Sequence, residues 1–143
     1  MSKIYRTNDR IKVEVDGLVV EISPLSLHQK MDIESDILKG DTKSAMLGAS
    51  KAVKYSVKSI SGVKLDDGSE YELDLENGVL SDSCIDDLFN LPETEKITLA
   101  CLNLLKSIPD EFVNPHTGVA IEGVKIIKNQ ESSGKKKKAA SPS

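Results

Sequence analysis

The side chains able to do chemistry in this sequence are few and scattered. Histidine occurs only at His28 and His116. Neither has a second His or a Cys three or four positions away, the spacing at which helices and loops present metal ligands. No metal site is expected: His28 reads as a boundary residue of an amphipathic helix and His116 as part of a Pro-His-Thr-Gly turn. Cys84 and Cys101 sit in Asp-Ser-Cys-Ile and Leu-Ala-Cys-Leu contexts. Neither lies in a Gly-rich elbow or an electropositive stretch that lowers a thiol pKa, so both are expected as buried free thiols and no catalytic residue is assigned.

Carboxylates cluster at Asp66-Asp67-Gly68, from Asp74 to Gly78 and from Asp82 to Asp87. None follows the alternating acidic spacing of a calcium loop. They read as solvated turns and the N-terminal half of a helix, where the helix dipole favours negative charge. The glycines stand singly instead of forming a phosphate-cradling loop, so no cofactor is expected.

Composition narrows the partners further. The formal charge is −4, and four of the lysines sit together at Lys135, Lys136, Lys137 and Lys138, so the remainder is more acidic still. An acidic body repels phosphate backbones, and four clustered lysines alone give only weak, salt-sensitive attraction. Aromatic residues make up 3% and Trp is absent, which removes the usual platform for stacking bases. Specific nucleic-acid recognition is therefore not expected. Nor is a membrane partner: no run of 18 apolar residues occurs, and the N-terminal Met-Ser-Lys-Ile-Tyr-Arg lacks the apolar stretch of a secretory segment.

With chemistry sparse, the elements carry the interest. Residues 11–22 are two β-branched runs hinged on Asp16-Gly17, a strong hairpin signal. Ser23 and Pro24 are expected to stop the second strand and open a helix running to about Lys39, with Gly40 as its stop. On the helical wheel Leu27, Met31 and Leu38 fall within about 40° of one another, and Ile33 and Ile37 widen that stripe. Asp41 is expected to cap a second helix through Val53, weakened at Gly48 by roughly 1 kcal/mol relative to Ala. A second hairpin is expected from Val57 to Leu75, turning at Asp66-Asp67-Gly68, and Asn77-Gly78 turns the chain again. Ser81 caps a short helix closed by Leu91-Pro92. Glu93 or Thr94 then opens the most apolar helix, ended by Pro109. Residues 119–127 give a last strand or arm.

The predicted fold class is α+β: two β-hairpins and about four α-helices around one aliphatic core, with a disordered basic C-terminal tail. Residues 1–10 form an N-terminal extension, 11–128 a single α+β domain of ordinary size, and 129–143 the Lys-rich tail, which has no large apolar residue.

A hairpin ending in Ile22-Ser23-Pro24-Leu25-Ser26, followed by acidic helix-rich sequence over residues 11–110, resembles the small tail assembly chaperones of long-tailed bacteriophages. In that family an N-terminal strand pair leads through a comparable Pro-Leu turn into a helix. The resemblance implies a non-enzymatic protein of the host bacterial cytoplasm that binds the phage tape measure protein, helps recruit tail tube protein subunits, and is absent from the mature virion. It also implies that the adenine-rich codons of Gly134 to Lys138 hold a −1 ribosomal frameshifting site. Self-association is a further partner expectation. The candidate protein-binding face is Ile97, Cys101, Leu104, Leu105 and Ile108, since that helix is apolar over more of its girth than one core contact requires; the competing reading is that these residues are core. A small virion structural protein of the tail, neck or baseplate is the alternative function, and a host-directed regulator a third.

Overall fold

In the computed structural model, which describes residues 4–127, two helices pack as a pair beside a four-stranded antiparallel sheet. The predicted fold class holds: the chain is α+β, with four α-helices and six strands in two antiparallel sheets among the described residues. The Lys-rich tail expected at 129–143, with the Gly134–Lys138 stretch in it, lies outside the described residues.

β1 (Ile11–Val15) and β2 (Leu18–Ile22) form the first hairpin. Asp16 and Gly17 both take positive φ, at 50° and 92°, the conformation a tight primed turn demands. Alternation then sorts the two faces: Ile11, Val13, Val15, Leu18, Val20 and Ile22 point into the core.

Beyond β2 the structure departs from expectation. Ser23 does not cap a helix. Its N–H bonds Ser56 O at 2.8 Å and Leu25 is buried, so the chain stays extended for one more turn's length. Helix α1 (Leu27–Ile37) starts at Ser26 instead, because Ser26 and Gln29 close a reciprocal capping box that satisfies two otherwise orphan N–H groups. It ends where predicted: Gly40, at φ 85°, donates to Ile37 O. Helix α2 (Thr42–Ser56) is capped by Asp41, whose carboxylate accepts from Ser44 N–H at 2.9 Å.

The second hairpin is shortened. β3 (Val57–Ser61) joins the first hairpin, pairing antiparallel with β2, while the expected turn at Asp66-Asp67-Gly68 forms and is closed by the Lys64–Glu70 bridge and by bonds from Leu65 N–H to Ser69 O and from Tyr71 N–H to Val63 O. Val57 and Ile60 contribute to the core, and burying them against the helices outweighs a local pairing. A further hairpin joins β4 (Leu75–Glu76) to β5 (Val79–Leu80), turning at Asn77-Gly78, where φ is 54° and 82°.

α3 (Asp82–Leu88) is capped by Ser81 as expected. α4 (Thr94–Leu102) is shorter than predicted, tightening into a 3-10 turn over Asn103–Leu105 well before Pro109. Asn103 explains this: its side-chain amide donates to Leu99 O and Val113 O and accepts from Val113 N–H, fastening the following loop against the helix end. The last strand, β6 (Val124–Ile126), is a three-residue remnant of the predicted 119–127 arm and pairs with β1, giving the order β3-β2-β1-β6. Gly123 lets it approach: a Cβ there would lie 2.0 Å from Asp16 Oδ1, in a backbone already at φ 84°.

The inner face of the sheet meets Ile33 of α1, Ala52 and Val53 of α2, Leu88 of α3, Ile97, Ala100 and Cys101 of α4, and Leu104 and Phe112 beyond it, in one aliphatic cluster.

Candidate functional site

The predicted binding face splits when its residues are placed. Ile97, Cys101 and Leu104 are core, Cys101 at 0% and Leu104 at 1% exposure, and Leu105 and Ile108 pack part-buried against the same cluster. Ile108 is not even helical, since α4 has ended by Leu102. This is a correction to the expected surface site: α4 packs against α2, and its apolar residues belong to the same buried cluster as the inner face of the sheet.

The opposite arrangement holds on α1. Leu27, Met31 and Leu38, which share one stripe of the helical wheel, are 74%, 59% and 82% exposed. Ile33 and Ile37 alone of the five face inward, Ile33 fully buried and Ile37 partly. Met46 and Leu47, in the first turns of α2, are exposed as well. Sequence reasoning missed this surface because periodicity identifies a stripe without saying which way it points.

What turns α1 over is a set of polar contacts with α2. Asp36, on the inward side, is buried, and its Oδ2 lies 2.8 Å from Lys51 Nζ. Lys51 also pairs with Asp32 Oδ1 at 3.0 Å, and Tyr55 donates its hydroxyl to Asp32 Oδ2 at 2.5 Å. Backbone approach completes the fit. A Cβ on Gly48 would lie 3.0 Å from Ile37 Cγ1 and 3.1 Å from Ile33 O, so the glycine that weakens α2 as an isolated helix is what lets the two helices meet. Lys39 also reaches Asp36 Oδ1, at 3.5 Å from just beyond the same helix, but Lys51 is the closer cation, and it meets the buried carboxylate only if the Asp36 side of α1 faces α2. The Leu27, Met31 and Leu38 side is then directed to solvent.

The electrostatics of these groups favour structure over reaction. Lys51 is pushed up to about 12, first by Asp36 and then by Asp32, which keeps it a charged ammonium and not a nucleophilic amine. Asp32 is held below the ordinary carboxylate range by the Tyr55 hydroxyl and then by Lys51. Tyr55 is raised by burial and by Asp32. Cys101 is pushed up to about 12 by burial, which makes it an inert thiol at neutral pH. Cys84 is buried and accepts from Asp74 N–H at 3.0 Å and from the Tyr71 hydroxyl at 3.4 Å, while that hydroxyl also reaches Asp87 at 2.8 Å. Lys58 moves the other way, lowered by burial and then by Arg10; its ammonium donates to the Tyr55 and Gly78 carbonyls and ties β3 to the β4–β5 turn. His28 and His116 are both exposed.

Among the described residues no group of three or more His, Cys, Asp or Glu side chains is arranged to hold a metal ion, and no helix is long and apolar enough to cross a membrane. The surface that the geometry singles out is thus the outward aliphatic side of α1. No family model, curated protein or solved structure matches this chain.

Proposed function

We propose that this chain is a tail assembly chaperone of a long-tailed bacteriophage, which binds the tape measure protein and helps recruit tail tube subunits in the host cytoplasm without catalysis. The observation that carries the reading is the solvent-facing stripe Leu27, Met31 and Leu38 on α1. A helical client exposes apolar stripes before assembly, and an aliphatic helix face of matching width can cover them. The acidic body keeps the resulting complex soluble. The resemblance of residues 11–110 to such chaperones supplies the identity of the client; the stripe supplies the means. On this reading the protein leaves before the virion matures, and a longer frameshifted product is made from the Gly134–Lys138 codons.

Co-expression tests it. The tape measure protein is expected to stay soluble with this chain and to precipitate with a folded Met31→Asp/Leu38→Asp variant. A client that remains insoluble alongside the unmodified chain rules the reading out. A retained structural subunit is the second reading, supported by β3 and β6 standing at the two edges of the sheet among the described residues, positions where a neighbour's strand can add. Mass spectrometry of purified particles separates the two, since a chaperone is absent and a subunit stoichiometric.

A further inference from the structure

The stripe on α1 is complementary to itself, and its charges choose the orientation. Leu27 and Leu38 stand at its two ends and Met31 near its middle, all exposed. On the wheel Lys30 and Glu34 fall on the same flank of that stripe. Glu34 is exposed and makes no ion pair within the chain among the described residues, while Lys30 donates to Lys106 O at the surface at 3.1 Å.

Two copies can be laid antiparallel about a two-fold axis so that Leu27 of each meets Leu38 of the other. The rise of about 1.5 Å per residue then fixes the rest. Equal flanks meet in such a pair, and Lys30 lies only about 1.5 Å along the axis from Glu34 of the second copy, whereas the two Glu34 side chains are about 4.5 Å apart and the two Lys30 about 7.5 Å. Both ion pairs form at once, because a two-fold contact repeats every interaction. In a parallel two-fold pair equal flanks lie on opposite sides of the contact, so Lys30 of one copy does not reach Glu34 of the other, and the two helix dipoles align unfavourably.

We propose that the free chain self-associates through α1 as an antiparallel two-fold dimer, with Leu27 packed on Leu38 of the second copy and Lys30 paired with its Glu34. One helix per copy is a small contact, below the roughly 1,200 Å² of total buried area at which stable interfaces begin. The dimer is accordingly dissociable, and it keeps the stripe covered until a client competes for it. The competition rests on the proposed function; the dimer does not.

Sedimentation of the purified full chain, without any client, tests the dimer directly. A monomer–dimer equilibrium is expected, weakened about tenfold by Lys30→Glu or by Glu34→Lys, since each converts two exposed attractive pairs into repulsive ones. Both changes in one chain exchange the charges and restore the affinity. In parallel, oxidised mixtures of Leu27→Cys and Leu38→Cys chains are expected to cross-link between the two variants, with neither cross-linking efficiently alone; the native thiols are buried. A chain that stays monomeric to about millimolar concentration overturns the proposal, as does a double charge exchange that remains as weak as the single changes. Either failure leaves the co-expression result standing, because that assay reads client solubility.

Discussion

Helices α1 and α4 both carry an aliphatic stripe, and the fold treats them in opposite ways. On α4 and the 3-10 turn that ends it the stripe is core: Ile97, Cys101 and Leu104 are buried in the central cluster. On α1 three of the five stripe residues face water, while a buried aspartate occupies the packed side. The difference teaches that apolar girth does not locate a binding surface. A stripe is available to a partner only where something else, here the Asp36–Lys51 pair and the Gly48 crossing, has already fixed the helix by its other side.

The largest test of that contrast is truncation of the inner stripe. Leu104→Ala is expected to destabilise the protein by about 2–5 kcal/mol in urea unfolding, the range for deleting a buried leucine side chain. A loss under about 1 kcal/mol would mean that the stripe running from α4 into the 3-10 turn is not core and would reopen its surface role. Next comes the ion pair. Lys51→Ala leaves Asp36 buried without its nearest cation; because Lys51 is partly exposed, about 2 kcal/mol is expected, below the roughly 3–5 kcal/mol of fully buried pairs. Replacing both partners together, Asp36→Leu with Lys51→Met, should recover most of that loss. It should also free α1 to roll, detectable as a decrease in hydrogen-exchange protection confined to residues 27–37.

Gly48→Ala sets two effects against each other. Helix propensity gains about 1 kcal/mol, whereas the added methyl meets Ile37 Cγ1 and Ile33 O at 3.0 and 3.1 Å and overpacking costs about 1–3 kcal/mol. A net loss of about 1 kcal/mol by thermal unfolding is expected; a gain would show that the helices are not held at this crossing.

Smaller still is the pH dependence of the same network. Asp32 has its folded pKa lowered below 3.8, so its contribution is present above that pH and is lost as pH falls through the folded value. Lys51 is raised from 10.5 to about 12, so its contribution is present below pH 10.5 and lost as pH rises towards 12. Tyr55→Phe removes the leading cause of the Asp32 shift and should flatten the acid limb of the stability profile by about 0.5 kcal/mol, a small figure because Asp32 is partly solvated. An unchanged acid limb would place the acid sensitivity elsewhere. The smallest effect on stability belongs to the outer stripe: Leu27→Ser, Met31→Ser and Leu38→Ser are each expected to change it by less than about 0.5 kcal/mol. A larger loss would mean that the stripe is packed in the free chain.

Much of the local structure was legible in the residues. Asp16-Gly17 and Asn77-Gly78 turn hairpins because both positions of each dipeptide tolerate positive φ, and Asp41, Ser81 and Gly40 mark helix ends through bonds formed within a few residues. Less of the longer-range structure was. Val57–Ser61 has the same period-two pattern whether it folds onto Tyr71–Leu75 or onto β2, and α4 is shortened by Asn103 reaching a backbone segment around Val113. Of the candidate site, the stripe on α1 was visible but its direction was not, and the stripe on α4 was read as a candidate surface with the core as the competing reading.

The sequence by itself determined the element types, most of their caps and the residues that share each helical face, since these follow from backbone geometry and from bonds spanning three or four positions. Only the tertiary structure decided which face of α1 looks inward. That choice depends on a cation fifteen residues beyond Asp36 and on a glycine twelve beyond it, brought opposite by the turn at Gly40. A helix repeats every 3.6 residues whichever way it is rolled; the charge that must not be buried alone sets the roll.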